Sequence, residues 1–251
     1  MPIKEIKNSN IAIKVPGMEC DDIISSKIPE PFNNKSFVYL VVGSKGSGKT
    51  SLMTSLVTGN KKPFKCYRGA FDEVILNMPS SSRKSIKGNP FKSLPDESCY
   101  DDFDMKLLTD IYERAEERSE NDEFTLAIID DASSRLKTNK QMIDTLTQLV
   151  HRHRHLRLSL IILVQDLVSV PLSIRKNADA IIYFRPTNEK SNVVFKDEFL
   201  GAFSKDQTNE LMNYVFKKKG DYLMVKVSEI PFQYYKNTNR LIIDHIQRDG
   251  L

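Results

Sequence analysis

The feature that most constrains this chain is residues 43–50, which read GSKGSGKT and fit the pattern G-x-x-x-x-G-K-[ST]. Glycines at these positions let backbone N–H groups turn inward around an anion, where a Cβ would obstruct the approach. The apolar run at 36–42 predicts a buried strand before the loop, and 51–57 predicts a helix after it. An anion held there lies at a helix N-terminus, where free N–H groups and the helix dipole favour it. We therefore predict a phosphate-binding loop (P-loop) for a nucleoside triphosphate.

Two side chains of this loop have distinct expected roles. The Lys49 ammonium would reach the β- and γ-phosphates, and the Thr50 hydroxyl would be a ligand of Mg²⁺. ATP and Mg²⁺ are the cofactors that we expect. The alternative is a glycine-rich turn that binds nothing. The predicted nucleotide-contacting residues are Gly43, Ser44, Lys45, Gly46, Ser47, Gly48, Lys49, Thr50 and Ser51.

A pair of acids follows the loop lysine and threonine by about eighty residues. Four apolar residues at 126–129 lead directly into Asp130 and Asp131. A buried strand of this kind delivers one carboxylate to the metal and a neighbouring acid to the attacking water. We expect Asp130 at the metal, through water or Thr50, and Asp131 as the base or water-orienting group. The alternative is an ordinary strand followed by a turn.

Gln165 ends another apolar run, at 158–165. In open α/β sheets, ligands bind at the carboxyl edge of the strands, which is where this residue is expected. A buried amide needs hydrogen-bond partners, and here the γ-phosphate or the attacking water would supply them. The alternative is a strand-ending glutamine in a solvated loop.

The rest of the sequence predicts an α/β fold. Apolar runs of strand length alternate with amphipathic helical patterns, and such βαβ alternation is typical of a parallel sheet. A strand at 71–78 separates the loop from the acid pair along the chain, which is the order of motor-type ATPases. We predict a P-loop NTPase of the motor (additional-strand) type, with a mostly parallel central sheet flanked by helices and a small C-terminal α+β appendage. Further strands are expected at 124–130, 158–165, 178–184, 222–227, 232–235 and 241–246, and helices at 101–120, 140–153, 191–200 and 206–217.

Three units are expected along the chain. Residues 1–35 form an N-terminal extension with a strand at 11–15, residues 36–186 form the ATPase core, and residues 187–251 add helices and a β element packed on the core. Within the core, residues 79–95 are rich in Ser, Lys and Pro and are expected to form a mobile surface loop.

The composition fits a soluble, intracellular protein. No stretch approaches the roughly 20 apolar residues of a membrane span, and the polar N-terminus lacks the apolar segment of a signal peptide. The net charge of +4 argues against nucleic-acid binding over the whole surface. Charge is uneven, however: residues 61–92 carry eight Lys/Arg and two acids, whereas residues 96–131 carry fourteen acids and three bases. A surface that faces a polyanion and ordinary solvated charge both explain this asymmetry.

Four motifs in order resemble those of the FtsK/HerA superfamily. They are GSKGSGKT at 43–50, LAIIDDAS at 126–133, the step Arg154-His155-Leu156, and LIILVQ at 160–165 followed by Pro171. The likeness is strongest to the genome-packaging ATPases of poxviruses, other large DNA viruses and virophages, and it spans residues 37–184. The wider superfamily commonly has Glu at the second acid, where this chain has Asp131. The packaging branch often has Asp-Asp.

The resemblance implies a motor that translocates double-stranded DNA and packs a viral genome into its capsid. It implies a homo-oligomeric ring, hexameric or pentameric, with capsid vertex proteins as further partners and no membrane insertion. It also assigns to Arg154 the role of reaching the ATP of the neighbouring subunit, with Arg175 as the second choice. Cations that complement a helix C-terminus are the alternative explanation for the basic run at 151–157. The alternating His151, His153 and His155 offer no fourth ligand for a metal.

In such a ring, only the pore has to be positive to hold DNA. Candidates for the pore lining, chosen by charge alone, are Lys61, Lys62, Lys65, Arg68, Arg83, Lys84 and Lys87.

Three other functions share the phosphate-binding loop. A GTPase switch needs an N-K-x-D guanine-binding motif, but Asn139-Lys140 is followed by Gln141-Met142. A small-molecule kinase normally needs an Arg-bearing lid and rarely has a pair of acids at the water. A scaffold would hold the nucleotide without hydrolysing it.

Overall fold

The structure is a computed structural model of the chain, and it describes residues 22–61, 65–87, 90–133 and 135–243. The strand expected at 11–15 lies outside these residues. Within the described part of the N-terminal extension, Ile23 forms an antiparallel bridge to Lys35, and Phe32 is buried. The extension therefore packs on the rest of the protein from residue 22 onwards.

One sheet of nine strands runs through the described residues. The strands are β1 (Val38–Val42), β2 (Glu73–Asn77), β3 (Cys99–Tyr100), β4 (Thr125–Ile129), β5 (Leu158–Val164), β6 (Ala180–Phe184), β7 (Tyr222–Lys226), β8 (Gln233–Lys236) and β9 (Asn239–Leu241). They are hydrogen-bonded in the order β3-β2-β4-β5-β1-β6-β7-β8-β9. The pairs among β1–β6 are parallel, and β7, β8 and β9 join in antiparallel pairs. The predicted mostly parallel α/β fold is confirmed.

Helices connect and cover the strands. They are α1 (Lys49–Thr58), α2 (Ser80–Ser85), α3 (Met105–Ser119), α4 (Arg135–Thr138), α5 (Lys140–Arg152), α6 (Leu172–Lys176), α7 (Glu189–Phe199) and α8 (Lys205–Val215). Helix α3 lies within the helix predicted at 101–120 and is amphipathic, since Leu107, Ile111 and Ala115, spaced four residues apart, are fully buried. Helix α5 begins after Asn139, whose side chain accepts a hydrogen bond from the Met142 N–H and caps the first turn.

Both faces of the sheet are covered, which explains why the central strands are almost entirely apolar. Alternate residues of β1 point to opposite faces. Val38, Leu40 and Val42 belong to the core shared with α3, α5, α7 and α8. Tyr39 and Val41 belong to the second core, to which α1 and the N-terminal segment contribute.

In the sheet, β5 lies between β1, which precedes the phosphate-binding loop, and β4, which precedes Asp130 and Asp131. It pairs with β1 on one side and with β4 on the other. The strand predicted at 71–78 is β2, which lies on the far side of β4. Because β1, β4 and β5 are parallel, their carboxyl ends reach the same edge of the sheet, and the residues that follow them meet there.

The C-terminal strands continue the central sheet. Strand β7 pairs with β6 over five residues, from Ala180↔Lys226 to Phe184↔Tyr222. Strand β9 ends at Leu241, whereas the sequence predicts a strand from 241 to 246; residues from 244 on lie outside the described part of the chain. The region after residue 187 thus shares one sheet with the core.

The prediction of a surface loop at 79–95 is wrong in part. Helix α2 follows Pro79, whose fixed φ of −50° suits the position before a helix. Phe91 is buried in the second core, because the transfer of a large aromatic side chain out of water is favourable.

Among the residues that the structure describes, no helix has both the length and the apolar composition that a membrane crossing requires.

Candidate functional site

The loop between β1 and α1 has a backbone that requires glycine. Gly46 has a φ of 75° and Gly48 a φ of 113°, both in the left-handed region that L side chains rarely adopt. At Gly43 the space is closed instead, since a Cβ there would lie 2.7 Å from Ser47 Oγ and 2.8 Å from Phe184 Cβ. The glycines of the sequence motif are therefore set by conformation at two positions and by close approach at the third.

The loop has the chemistry of an anion cradle. The Lys49 ammonium folds back over it and donates hydrogen bonds to the carbonyl oxygens of Gly43 and Ser44, at 2.5 and 3.2 Å. The Ser47 hydroxyl is buried and has no hydrogen-bond partner among the described residues. Burial lowers the pKa of Lys49, while the nearby carboxylates of Asp130 and Asp131 act to raise it. A cation and an unpaired buried hydroxyl in one concave loop fit a phosphate group.

Asp130 follows β4 and lies against the first turn of α1. The Thr50 hydroxyl donates a hydrogen bond to Asp130 Oδ2 over 3.4 Å, and the Asp130 N–H donates to the Asn77 carbonyl over 3.0 Å. Burial raises the pKa of Asp130, and the charge of Lys49 opposes this shift. Two hard oxygen ligands are thus adjacent, as a Mg²⁺ site requires. Mg²⁺ usually takes only one or two carboxylates and completes its shell with water and phosphate, so this pair fits the ion.

The described residues hold no cluster of three or more His, Cys, Asp or Glu side chains that would bind a metal by themselves. Such a cluster is typical of structural zinc sites. A metal at Asp130 would therefore depend on oxygen atoms from a bound phosphate. Of the three histidines at 151–155, His153 is buried, and the other two are exposed.

Asp131 and Gln165 form one polar unit beside Asp130. Gln165 Nε2 donates a hydrogen bond to Asp131 Oδ1 over 3.0 Å, and the Gln165 N–H donates to Ser133 Oγ over 2.8 Å. Asp131 has a φ of 58°, an uncommon conformation that Asp tolerates better than most residues. The prediction of a buried Gln165 amide is wrong, because the side chain is exposed at the sheet edge. Its partner is a carboxylate of the site itself.

Ser133 was not singled out from the sequence. Its hydroxyl accepts the Gln165 N–H from the next strand, so it fixes the distance between the ends of β4 and β5. Its place two residues after the acid pair is the signal that would have found it.

Arg154 lies at the opposite edge of the sheet from the loop. It precedes β5, whose seven residues span about 20 Å. Its side chain is 52% exposed, and its Nη2 lies 3.8 Å from Asp179 Oδ1. The side chain is too short to cross the sheet, so Arg154 and Lys49 of one chain cannot meet at one phosphate. The structure thus brings together all the predicted site residues except this one.

Asp179 lies at the same edge of the sheet as Arg154, and the sequence motifs do not identify it as a site residue. Its buried carboxylate accepts a hydrogen bond from the Val38 N–H over 2.8 Å and lies 3.6 Å from His153 Nε2. Burial raises the pKa of Asp179 and lowers that of His153, and the attraction between the two groups opposes both shifts. The signal was a charged residue within the apolar run at 178–184, since a buried carboxylate needs partners.

Arg175 is the second candidate for the arginine that reaches the ATP of a neighbouring subunit. Its guanidinium is hydrogen-bonded within its own chain. Its Nε and Nη2 donate to the two carboxylate oxygens of Glu198, at 2.8 and 2.6 Å. Its Nη1 donates to the Val170 carbonyl. The side chain is 12% exposed, and a forked pair of this kind is among the strongest ion pairs in proteins.

A cavity of about 360 Å³ adjoins the loop on the side away from the acids. Its walls are residues 44–47 of the loop, residues 184–187 after β6, and residues 219–221 before β7. We call it the β6-side cavity.

The sequence model of the family described as Poxvirus A32 protein matches residues 29–223. This range contains the loop, the acid pair, Gln165 and Arg154. No curated protein sequence matches the chain.

Solved structures show the same fold. The genome packaging NTPase B204 from Sulfolobus turreted icosahedral virus 2, in complex with ATP-gammaS, is 17% identical with a TM-score of 0.59, and the match covers 81% of this chain and 98% of that one. The same protein in complex with AMP is 17% identical with a TM-score of 0.56, over 80% of this chain and 97% of that one. EssC (ATPases 2 and 3) from Geobacillus thermodenitrificans is 13% identical with a TM-score of 0.52, over 85% of this chain and 42% of that one.

Proposed function

Because the chain belongs to the Poxvirus A32 protein family, we propose that it is a Mg²⁺-dependent motor that translocates double-stranded DNA and packs a viral genome into its capsid. The chain is an ATPase of the viral packaging type. The observation that carries the proposal is the meeting of the loop, the acid pair and Gln165 at one edge of the sheet. B204, which has the same fold, is described as a genome packaging NTPase.

In the proposed reaction, water attacks the γ-phosphorus of ATP and the bond to the bridging oxygen breaks, which leaves ADP and phosphate. The backbone N–H groups of the loop and the Lys49 ammonium hold the phosphates. Mg²⁺, bound beside Thr50 and Asp130, would neutralise charge on the phosphate oxygens. Asp131 orients the water or takes its proton, and the hydrogen bond from Gln165 keeps the Asp131 carboxylate at that position.

A ring explains why Arg154 lies far from its own loop. In a head-to-tail ring, every interface joins two different surfaces of the same chain. The loop edge of one subunit would then face the Arg154 edge of the next. An arginine supplied across such an interface stabilises the charge of the transition state and accelerates hydrolysis by about 10³–10⁵-fold. We prefer Arg154 to Arg175 for this role, because Arg175 already donates two hydrogen bonds to the Glu198 carboxylate of its own chain.

The DNA-contacting residues follow from charge alone in this proposal. Lys62 lies outside the described residues. Arg83 forms an ion pair with Asp101 over 2.6 Å, whereas Lys84 and Lys87 are exposed after β2, near the edge that carries the loop. Neutralised phosphates release counterions, so binding through such residues would weaken as salt rises. Capsid vertex proteins would be the further partners, at an assembly site in the host cytoplasm.

The measurement that tests the proposal is phosphate release from ATP and from GTP, with and without Mg²⁺ and with and without duplex DNA. We expect ATP hydrolysis that requires Mg²⁺ and rises when duplex DNA is added. Nucleotide binding without hydrolysis would favour a switch or scaffold in DNA handling. A rate of ATP hydrolysis that is the same with and without duplex DNA would contradict a translocating motor.

A further inference from the structure

A buried pair, His153 and Asp179, lies next to Arg154 at the edge of the sheet opposite the loop. We propose that this pair is a proton-dependent switch that positions Arg154. The unprotonated pair holds the guanidinium at Asp179, and a proton taken up by His153 releases it. His153 and Asp179 are then positioning residues. The linkage between the proton and Arg154 stands by itself, whereas its effect on ATP hydrolysis rests on the proposed function of Arg154 at a neighbouring subunit.

The contacts of His153 fix which ring nitrogen carries the proton in the neutral form. Nδ1 lies 2.7 Å from the Val150 carbonyl oxygen, which can only accept a hydrogen bond, so Nδ1 is the donor. Nε2 of the neutral ring is then an acceptor. It is buried, has no hydrogen-bond partner among the described residues, and lies 3.6 Å from Asp179 Oδ2. The neutral ring thus presents a lone pair to a carboxylate, and a proton on Nε2 would turn this contact into an ion pair.

The Asp179 carboxylate is shared between the ring and Arg154. The Val38 N–H donates a hydrogen bond to Oδ2 over 2.8 Å and fixes the carboxylate, while Oδ1 lies 3.8 Å from Arg154 Nη2. While His153 is neutral, the pair carries one negative charge and attracts the guanidinium. Once His153 is charged, the pair as a whole is neutral and this attraction is largely lost. A guanidinium that is held in place needs less ordering before it reaches a phosphate, so its release should slow hydrolysis.

The pKa directions agree with a competition for one carboxylate. Burial lowers the pKa of His153, the charge of Asp179 acts to raise it, and the charge of Arg154 acts to lower it. Burial raises the pKa of Asp179, and the charges of His153 and Arg154 both act to lower it. Arg154 and the proton therefore oppose each other at this pair. By linkage the opposition is reciprocal: if the proton weakens the hold on Arg154, removal of Arg154 must strengthen proton binding.

The other charged groups around the pair are lysines and carboxylates. Asp179 and Arg154 line a cavity of about 500 Å³ whose further charged residues are Glu30, Lys35, Lys226 and Glu229. Lys226 acts to lower the pKa of Asp179, and its Nζ lies 3.7 Å from Glu229 Oε1. No histidine is among the described residues that line this cavity. Because imidazole is the side chain that ordinarily changes charge between pH 5 and 8, His153 is the group at this pair that responds to mild acid.

The first test follows the proton itself. The chain has four histidines, so isotope labelling of the imidazoles gives few NMR signals, and His153→Gln identifies the one from His153. In a pH titration we expect Arg154→Ala to raise the proton affinity of His153 by about threefold or more, and Asp179→Asn to lower it. In the Asp179→Asn background, Arg154→Ala should have a smaller effect, because the shared carboxylate is gone.

Arg152→Ala is the matched control for this titration. Its guanidinium donates a hydrogen bond to the Tyr112 hydroxyl, and its side chain is 52% exposed. Because exposed charges are screened by solvent and salt, we expect this substitution to change the proton affinity of His153 by less than about 1.5-fold.

The second test measures the effect on hydrolysis. Arg154→Ala subunits, which keep the loop, are mixed with Lys49→Ala subunits, which supply the arginine. We expect the rate to fall between about pH 7.5 and 6, and His153→Gln in the arginine-donating subunit to remove at least about half of this fall. The same substitution in the receiving subunit should not. His155→Gln in the donating subunit, at an exposed position of the same turn, is the matched control and should leave the pH dependence unchanged.

The outcomes separate this inference from the proposed function. Equal effects of Arg154→Ala and Arg152→Ala on the His153 titration, or an imidazole that stays neutral down to the pH of unfolding, would overturn the switch. The same pH dependence with His153→Gln in either subunit would overturn its effect on hydrolysis. If no mixture regains activity at any pH, Arg154 does not act on a neighbouring subunit, and the titration alone decides whether the proton and Arg154 compete for Asp179.

Discussion

Gln165 Nε2 lies 3.0 Å from Asp131 Oδ1, and the hydrogen bond between them joins the ends of two parallel strands at the edge that carries the phosphate-binding loop. Asp131 also follows Asp130, the acid that we propose to lie at the metal. In the proposed mechanism, a change at Gln165 therefore acts on the attacking water through the Asp131 carboxylate and leaves the loop and Asp130 unchanged.

Gln165→Ala is expected to slow hydrolysis while ATP binding stays near normal. The substitution frees the Asp131 carboxylate to rotate and removes the amide from the water side, which we expect to lower kcat by about 10²-fold. Single-turnover hydrolysis and nucleotide titration measure the two effects separately. Gln148→Ala, on the exposed face of α5, is the control. Loss of binding equal to the loss of rate would show that Gln165 shapes the loop rather than the water.

Lys49→Ala is expected to abolish turnover and leave the fold intact. Among the described residues, the ammonium donates hydrogen bonds only to carbonyl groups of the loop, and in the proposed mechanism the substitution removes a positive charge from beside the transferring phosphate. We expect a loss of at least about 10²-fold in rate, with an unchanged unfolding transition. Lys140→Ala, at the exposed start of α5, should keep the wild-type rate. Wild-type hydrolysis by the Lys49 variant would mean that the phosphate is held elsewhere.

Substitution of Asp130 and substitution of Asp131 are expected to impair different steps, nucleotide binding and hydrolysis respectively. Asp130 contacts Thr50, so Asp130→Asn should weaken Mg²⁺-dependent nucleotide binding first. Asp131 contacts Gln165 instead, so Asp131→Asn should bind nucleotide almost normally and hydrolyse it slowly. Titration of nucleotide and Mg²⁺ against each variant distinguishes them. The reverse pattern would exchange the two roles.

Arg154 is expected to act on the ATP of a neighbouring subunit. Arg154→Ala subunits keep an intact loop and should bind ATP without hydrolysing it. Mixed with Lys49→Ala subunits, which keep the arginine, they should regain part of their activity and its stimulation by DNA. The ATPase rate across mixing ratios is the measurement, at concentrations where oligomers form. Arg152→Ala, next to the same helix end, is the control and should be active when unmixed.

A rate that stays at background at every mixing ratio would exclude Arg154 as the shared residue. The ion pair with Asp179 offers a further arm of the same experiment. Asp179→Asn placed in the arginine-donating subunit should reduce the rescue, whereas in the receiving subunit it should not. Arg175 would be tested next in the same way.

Mild acid is expected to destabilise the protein through His153. Burial lowers the pKa of this imidazole in the folded state, so its contribution to stability is present above the unfolded pKa near 6.5 and is lost as the pH falls through the folded value. The pKa of Asp179 is raised by burial, so its contribution to stability has the opposite pH dependence: it is present below the unfolded pKa of the carboxyl group and is lost as the pH rises through the folded value. Urea unfolding at pH 7.5 and 5.5 should show a smaller loss of stability for His153→Gln than for the wild type. An equal loss in both would assign the acid sensitivity to other groups.

Much of the loop side of the site could be predicted from the sequence, because short motifs there coincide with strand ends. The glycines of 43–50 report a backbone conformation that few other residues allow. Asp130 follows an apolar strand, and parallel strands deliver their carboxyl ends to one edge. The hydrogen bond between Thr50 and Asp130, eighty positions apart, is the result.

The remaining features depend on neighbours that periodicity does not identify. The sequence of β5 does not indicate that it lies between β1 and β4, because all three strands are mostly apolar and fully buried. The exposure of Gln165 could not be read from the apolar run that it ends, because burial changes within one residue at a sheet edge. The pair of Arg154 and Asp179 joins the starts of two different strands, and no local motif encodes such a contact.

The antiparallel pairing of β7 with β6 limits how this protein can be divided. A fragment that ends at residue 186 would retain every sequence motif but would leave β6, an entirely buried strand, with an open row of backbone donors and acceptors. Such an edge pairs readily with other chains. It would also lack the turn at 219–221 beside the phosphate-binding loop. We therefore expect the shortest soluble fragment of the enzyme to end after β9, because β7, β8 and β9 cover a strand edge that would otherwise promote aggregation.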